Sequence, residues 1–82
     1  MADKSREIIS QLMAIGITEY DAMLIADCVI TRKSCSWVNT DLIDDRMLAD
    51  LNDLIKKHNY GISVKVDAIP TRSKFIWDIK VL

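Results

Sequence analysis

Apolar residues recur along this chain every three or four positions at first, and every two positions towards its end. Ile8, Ile9, Leu12, Met13 and Ile15 make one stripe of a helix expected from about Asp3 or Ser5 to Ile15. Either Asp3 or Ser5 suits its N-cap, since each carries an oxygen able to accept from an orphan backbone N–H. Gly16 follows where a left-handed residue closes a helix. Thr18 opens a second helix, with Asp21 three residues on in a weak form of the capping box. Glu19 and Asp21 also put negative charge where the helix dipole favours it. The stretch AMLIADCVI is apolar almost all round and only Asp27 interrupts it. A helix with so narrow a polar face packs against more than one neighbour, which makes it the expected central helix.

TRKSCSW reads as a polar link. Asn39 then serves as the cap of a third helix, with Val38 reaching Ile43 as a hydrophobic staple. In DLIDDRMLADLNDLIKKH, Ile43, Met47, Leu51 and Ile55 repeat every four residues, and Leu48 and Leu54 broaden the face. Asp41, Asp44 and Asp45 crowd the helix start while Lys56, Lys57 and His58 crowd its end, both complementing the dipole. Asn59 or Gly61 ends it.

The period then changes to two. ISVKVDAI and KFIWDIKVL read as the strands of a hairpin, with Pro70 in the loop, where its missing N–H costs no ladder bond. Pairing Val66 with Trp77 sets Lys65 opposite Asp78. A two-residue slip sets Asp67 opposite Asp78 and Lys65 opposite Lys80, so repulsion favours the first register. Phe75, Trp77, Ile79 and Val81 then share a face with Val64 and Val66 and lie on the helices. The expected architecture is α+β: a single domain over residues 1–82, with three helices followed by a two-stranded antiparallel hairpin packed on them.

Composition narrows the function. A net charge of −1 lacks the basic excess of a protein living on phosphate contacts. No basic-apolar-small succession opens the chain and no apolar run approaches about 18 residues, so neither a secretory signal nor membrane insertion is expected, and the cytoplasm is the expected compartment. Cys28 and Cys35 are accordingly expected as reduced thiols, Cys28 in the core and Cys35 on a loop where it is open to modification.

Chemistry-bearing patterns are sparse. His58, the one histidine, sits in a solvated helix end, and no spacing brings Cys28 or Cys35 to it as a nucleophile. Two cysteines and a distant histidine match no zinc spacing, and the acidic run lacks the glycine and final glutamate of a calcium loop. Gly16 and Gly61 form no phosphate loop. The expectation is a non-enzymatic chain without a cofactor or metal.

Two binding classes remain. Helices before a β-hairpin suggest a winged-helix nucleic-acid regulator acting through Arg72, Lys74, Lys56 and Lys57, and AIGITEYDAMLIADCVI resembles the opening helix of some archaeal winged-helix sugar regulators. Against this, a recognition helix carries basic or amide groups at its start, and this one carries Asp41, Asp44 and Asp45. Protein binding is favoured instead, because a two-stranded ribbon leaves two unpaired edges unless Lys65, Lys74 and Lys80 blunt them. Trp37, Ile69, Ile76 and Leu82 are the expected apolar contacts, with Lys65, Asp78 and Lys80 as polar neighbours. The partner is another protein or a second copy in a homodimer.

In length and in the order of its segments, from SREIISQLM through DLIDDRMLADLNDLIKKH to KFIWDIKVL, the chain resembles the small cytoplasmic lysis-inhibition proteins (antiholins) of T-even phages. The resemblance implies a cytoplasmic regulator without enzymatic activity. Such a protein binds the soluble N-terminal part of the phage holin and delays membrane permeabilisation.

Overall fold

The computed structural model describes residues 2–40 and 43–82. Its elements are α1 (Ala2–Ala14), α2 (Glu19–Thr31), β1 (Cys35–Asn39), α3 (Asp45–Lys57), β2 (Ile62–Ile69) and β3 (Lys74–Val81). The class is α+β, but a strand stands between the second and third helices. The sheet therefore has three antiparallel strands in the order β1-β3-β2 rather than two. β3 is paired on both sides, and the free edges belong to β1 and β2.

The register of β2 and β3 is the one that charge selects: Val66 faces Trp77 and Lys65 faces Asp78. On its other side Trp77 faces Trp37, and Cys35 faces Ile79. Cα partners across a ladder share a face. Trp37, Trp77, Ile79, Val64 and Val66 thus line the side that packs with Leu12, Ile25 and Leu51 of the helices.

The added strand overturns several local expectations. The TRKSCSW segment is not a plain link, and Asn39 caps no helix, since it ends β1. Val38, expected as a staple before α3, is a strand residue on the outer side of the sheet, and half its surface is exposed. Asp44 is the actual N-cap of α3, accepting from Met47 N–H at 2.8 Å; Asp41 lies outside the described residues. Nor does Asp3 or Ser5 cap α1, which is already helical at Ala2.

Helix ends follow the chain's own signals more closely. Gly16 has φ +101° after α1, and Asn59 takes φ +52° just beyond α3. Gly61 has φ +70°, a backbone conformation that favours glycine, and a Cβ there would come within 2.9 Å of the Arg32 guanidinium and displace it. Arg32 caps α2 at φ +59° and donates to Tyr60 O at 3.0 Å and Leu82 O at 3.3 Å. One side chain thereby ties the end of α2 to the turn before β2 and to the residue after β3.

Cys28 and Cys35 are not free thiols. They form a disulfide joining the late turns of α2 to the first residue of β1, with Cα atoms 6.6 Å apart. A seven-residue separation decides nothing by itself, whereas β1, folding back beside α2, brings the sulfurs together.

Candidate functional site

Asp21 is the residue around which β1 is seated. It lies on one helical face with Ile25 and Cys28, at i, i+4 and i+7, and only 2% of its surface is exposed. Its Oδ1 accepts from Trp37 Nε1 at 2.9 Å and Asn39 Nδ2 at 2.7 Å, and its Oδ2 from Thr18 Oγ1 at 3.3 Å. The Thr18 hydroxyl thus meets the Asp21 carboxylate rather than capping the backbone, although Thr18 does occupy the N-cap position. Three donors compensate a buried charge, and its place in the first turn of α2 adds the helix dipole. Trp37 completes the seat by stacking on Trp77, with ring centroids 5.4 Å apart and planes inclined by 8°. The Trp77 indole N–H is buried without a partner among the described residues.

The expected contact residues do not form one patch. Trp37 lies on the inner side of the sheet and is half-buried. Ile76, Asp78, Lys80, Lys65 and Ile69 share the outer side, with Val38 beside Ile76 and Ile69 diagonal to it. Lys65 and Asp67 form an exposed ion pair at 3.7 Å along β2. Leu82 is 82% exposed but lies six residues beyond Ile76, about 20 Å away at the other end of the strand. The outer side is therefore a small apolar spot among charges, with Leu82 apart from it.

The larger apolar surface is on α2. Tyr20, Met23 and Ile30 are 60%, 52% and 37% exposed. With Asp27 they fall at i, i+3, i+7 and i+10, a single stripe opposite the buried face. Met13, in the last turn of α1, is also exposed. No cationic side chain among the described residues lies within ion-pair distance of Asp27. Periodicity carried the signal, since an all-round apolar helix asks for neighbours on both sides. The fold supplies them on one.

The one histidine is exposed and stacks on Tyr60, with centroids 5.8 Å apart. Both border a cleft of about 250 Å³ shared with Lys4, Glu7, Gln11 and Arg32. The phenol of Tyr60 donates to Gln11 Oε1. Burial, and then the Glu7 carboxylate, push its pKa up from 10.0 to about 12, so it stays protonated at neutral pH. Neither cysteine lines this cleft. Among the described residues, no three His, Cys, Asp or Glu side chains converge as a metal-holding group.

The basic residues of a winged-helix reading are dispersed along the chain. Lys56 and Lys57 end α3, Arg72 is exposed in the β2–β3 turn, and Lys74 opens β3. Residues 32–44, including all of β1, separate α2 from α3 where a helix-turn-helix has a turn of three or four residues. No helix among the described residues is long and apolar enough to cross a membrane. No protein-family model matches the chain, and no curated protein or solved structure shows a significant likeness to it.

Proposed function

We propose that this chain is a non-enzymatic regulatory protein that docks an amphipathic helix of a partner protein on the outer stripe of α2. The observation that carries the reading is the exposure of Tyr20, Met23 and Ile30 on a helix whose other face is core. Exposed apolar side chains gathered on one helix face, rimmed by polar residues, support an interaction site there. Asp27 specifies the partner further. Covering an unpaired carboxylate costs several kcal/mol, roughly, unless a cation meets it, so the docking helix brings a Lys or Arg opposite Asp27. The mechanism is stoichiometric occupation of a surface the partner needs for its own assembly. The resemblance to T-even antiholins supplies a candidate: the soluble N-terminal part of the phage holin, bound in the cytoplasm.

Calorimetric titration of the purified chain with that holin segment tests the reading. The native chain is expected to bind, and Met23→Glu to weaken binding by about thirtyfold or more, the scale of a hot-spot loss. Val38→Glu on the outer side of the sheet should leave binding unchanged. Absence of binding removes the holin as partner, and sensitivity to Val38→Glu with indifference to Met23→Glu moves the site to the sheet. Salt-dependent DNA binding lost in Arg72→Glu/Lys74→Glu would favour the winged-helix alternative.

A further inference from the structure

We propose that Cys28 and Cys35 form a reversible thiol–disulfide couple whose state sets how firmly β1 is held at the edge of the sheet. The two sulfurs are unequal. Cys28 is 2% exposed inside the core, whereas Cys35, the first residue of β1, is half-buried at the core's edge and is the more accessible of the two to an incoming thiol or disulfide. Oxidation by glutathione disulfide proceeds through the accessible sulfur. The Cys35 thiolate attacks one glutathione sulfur and releases the other as glutathione thiolate. The Cys28 thiolate then attacks the Cys35 sulfur of the mixed disulfide and releases the second. Two electrons pass from the protein dithiol to glutathione disulfide, giving one protein disulfide and two glutathione molecules, and reduction is the reverse.

Reversibility follows from what else holds β1. All five of its residues are in register with β3, and Ser36 Oγ donates to Trp77 O at 2.8 Å. Trp37 stacks on Trp77, and Trp37 and Asn39 both donate to Asp21. None of these contacts needs the sulfur bond, so the reduced chain keeps the two thiols close and the bond re-forms within one molecule. β1 is nevertheless a short edge strand with one ladder, the kind of element that opens locally before the rest. The disulfide spans seven positions, and the entropy of so short a closure corresponds to a change in β1 opening of up to about 70-fold. The couple thus acts on an edge strand and leaves the remainder of the sheet standing.

The test equilibrates the full chain in glutathione buffers from fully reduced to fully oxidised, approached from both sides. Thiols are counted by alkylation and mass spectrometry, and amide hydrogen exchange is followed strand by strand. Both cysteines are expected to titrate together as one two-electron couple. The reduced protein should still unfold cooperatively, with exchange in Cys35–Asn39 at least about tenfold faster than in the oxidised form and β2 little changed. Cys28→Ser/Cys35→Ser should show the fast β1 exchange in every buffer. Cysteines that stay unpaired in pure glutathione disulfide overturn the proposal. So does a reduced chain that unfolds as a whole, or β1 exchange indifferent to redox state in the native protein.

Discussion

Replacing Asp21 with alanine removes the acceptor on which β1 is seated, and the structure sets the size of the effect. The carboxylate is almost wholly buried and receives Trp37 Nε1–H, Asn39 Nδ2–H and Thr18 Oγ1–H. A hydrogen bond to a charged group contributes roughly 1.5–3 kcal/mol net, so the two short bonds to Oδ1 together contribute about 3–6 kcal/mol. Alanine also relieves the desolvation of the carboxylate, and Trp37 is only half-buried, so water reaches part of what is exposed. These offsets bring the expected loss to about 3–4 kcal/mol. A domain of this length has only about 4–12 kcal/mol in total, so Asp21→Ala should fold marginally. Asp21→Asn keeps an acceptor for Trp37 and Asn39 and turns its amide towards the Thr18 hydroxyl, which can accept. It should lose only about 1–2 kcal/mol. Trp37→Phe keeps an aromatic ring on Trp77 and drops the N–H, and the Asp21→Ala/Trp37→Phe cycle should give a coupling of about 1–2 kcal/mol. Urea unfolding followed by circular dichroism measures the native chain and the four variants. A loss below about 1 kcal/mol for Asp21→Ala, or simple additivity in the cycle, would refute the idea that this carboxylate holds β1 in place.

Two further outcomes follow from the other end of the sheet. The neutral phenol of Tyr60 is favoured in the folded state, so its stabilisation is whole below about pH 10 and is lost as pH climbs through about 12. Denaturation midpoints across that window should fall for the native chain more steeply than for Tyr60→Phe, and equal slopes would contradict the assignment. Arg32→Ala deletes the bonds to Tyr60 O and Leu82 O and should cost about 1–2 kcal/mol. Arg32→Gly deletes the same bonds but relieves the left-handed backbone by about 1 kcal/mol, and should therefore be the more stable of the two by urea midpoint.

Local pattern reached some elements and not others. The three helices, the β2–β3 hairpin and its register were legible because long amphipathic periods and opposed charges specify them within the segment itself. β1 was not. CSWVN has two large apolar side chains on opposite sides of the strand and sits in a polar stretch. Asn39 before an acidic, apolar run looks like a helix cap. Pairing with β3, some forty residues away, decides its conformation. The disulfide was hidden for the same reason, since the sulfurs meet only once β1 turns back beside α2. Asp21 left a trace in its spacing with Ile25 and Cys28, which puts an acid in line with core positions. Its first-turn location gave that acid a sufficient role at the surface. The exposed stripe of α2 was implicit in its all-round apolarity, and only the fold shows which side is left open.

The central place of β3 shapes how the molecule is made. Ribosomal synthesis delivers β1 and β2 before the strand that joins them, and neither pairs with the other in the finished sheet. Until β3 is available, Trp37, Val66, Val64 and Ile62 lack the Trp77, Ile79 and Val81 that they face across the ladders. The helical pair of α1 and α2 can form early from contacts close in sequence, but the sheet waits for the last strand and then closes both ladders at once. Until then β1 and β2 are two unpaired strands, and the interval in which the chain is most prone to associate with other chains ends when β3 pairs with both.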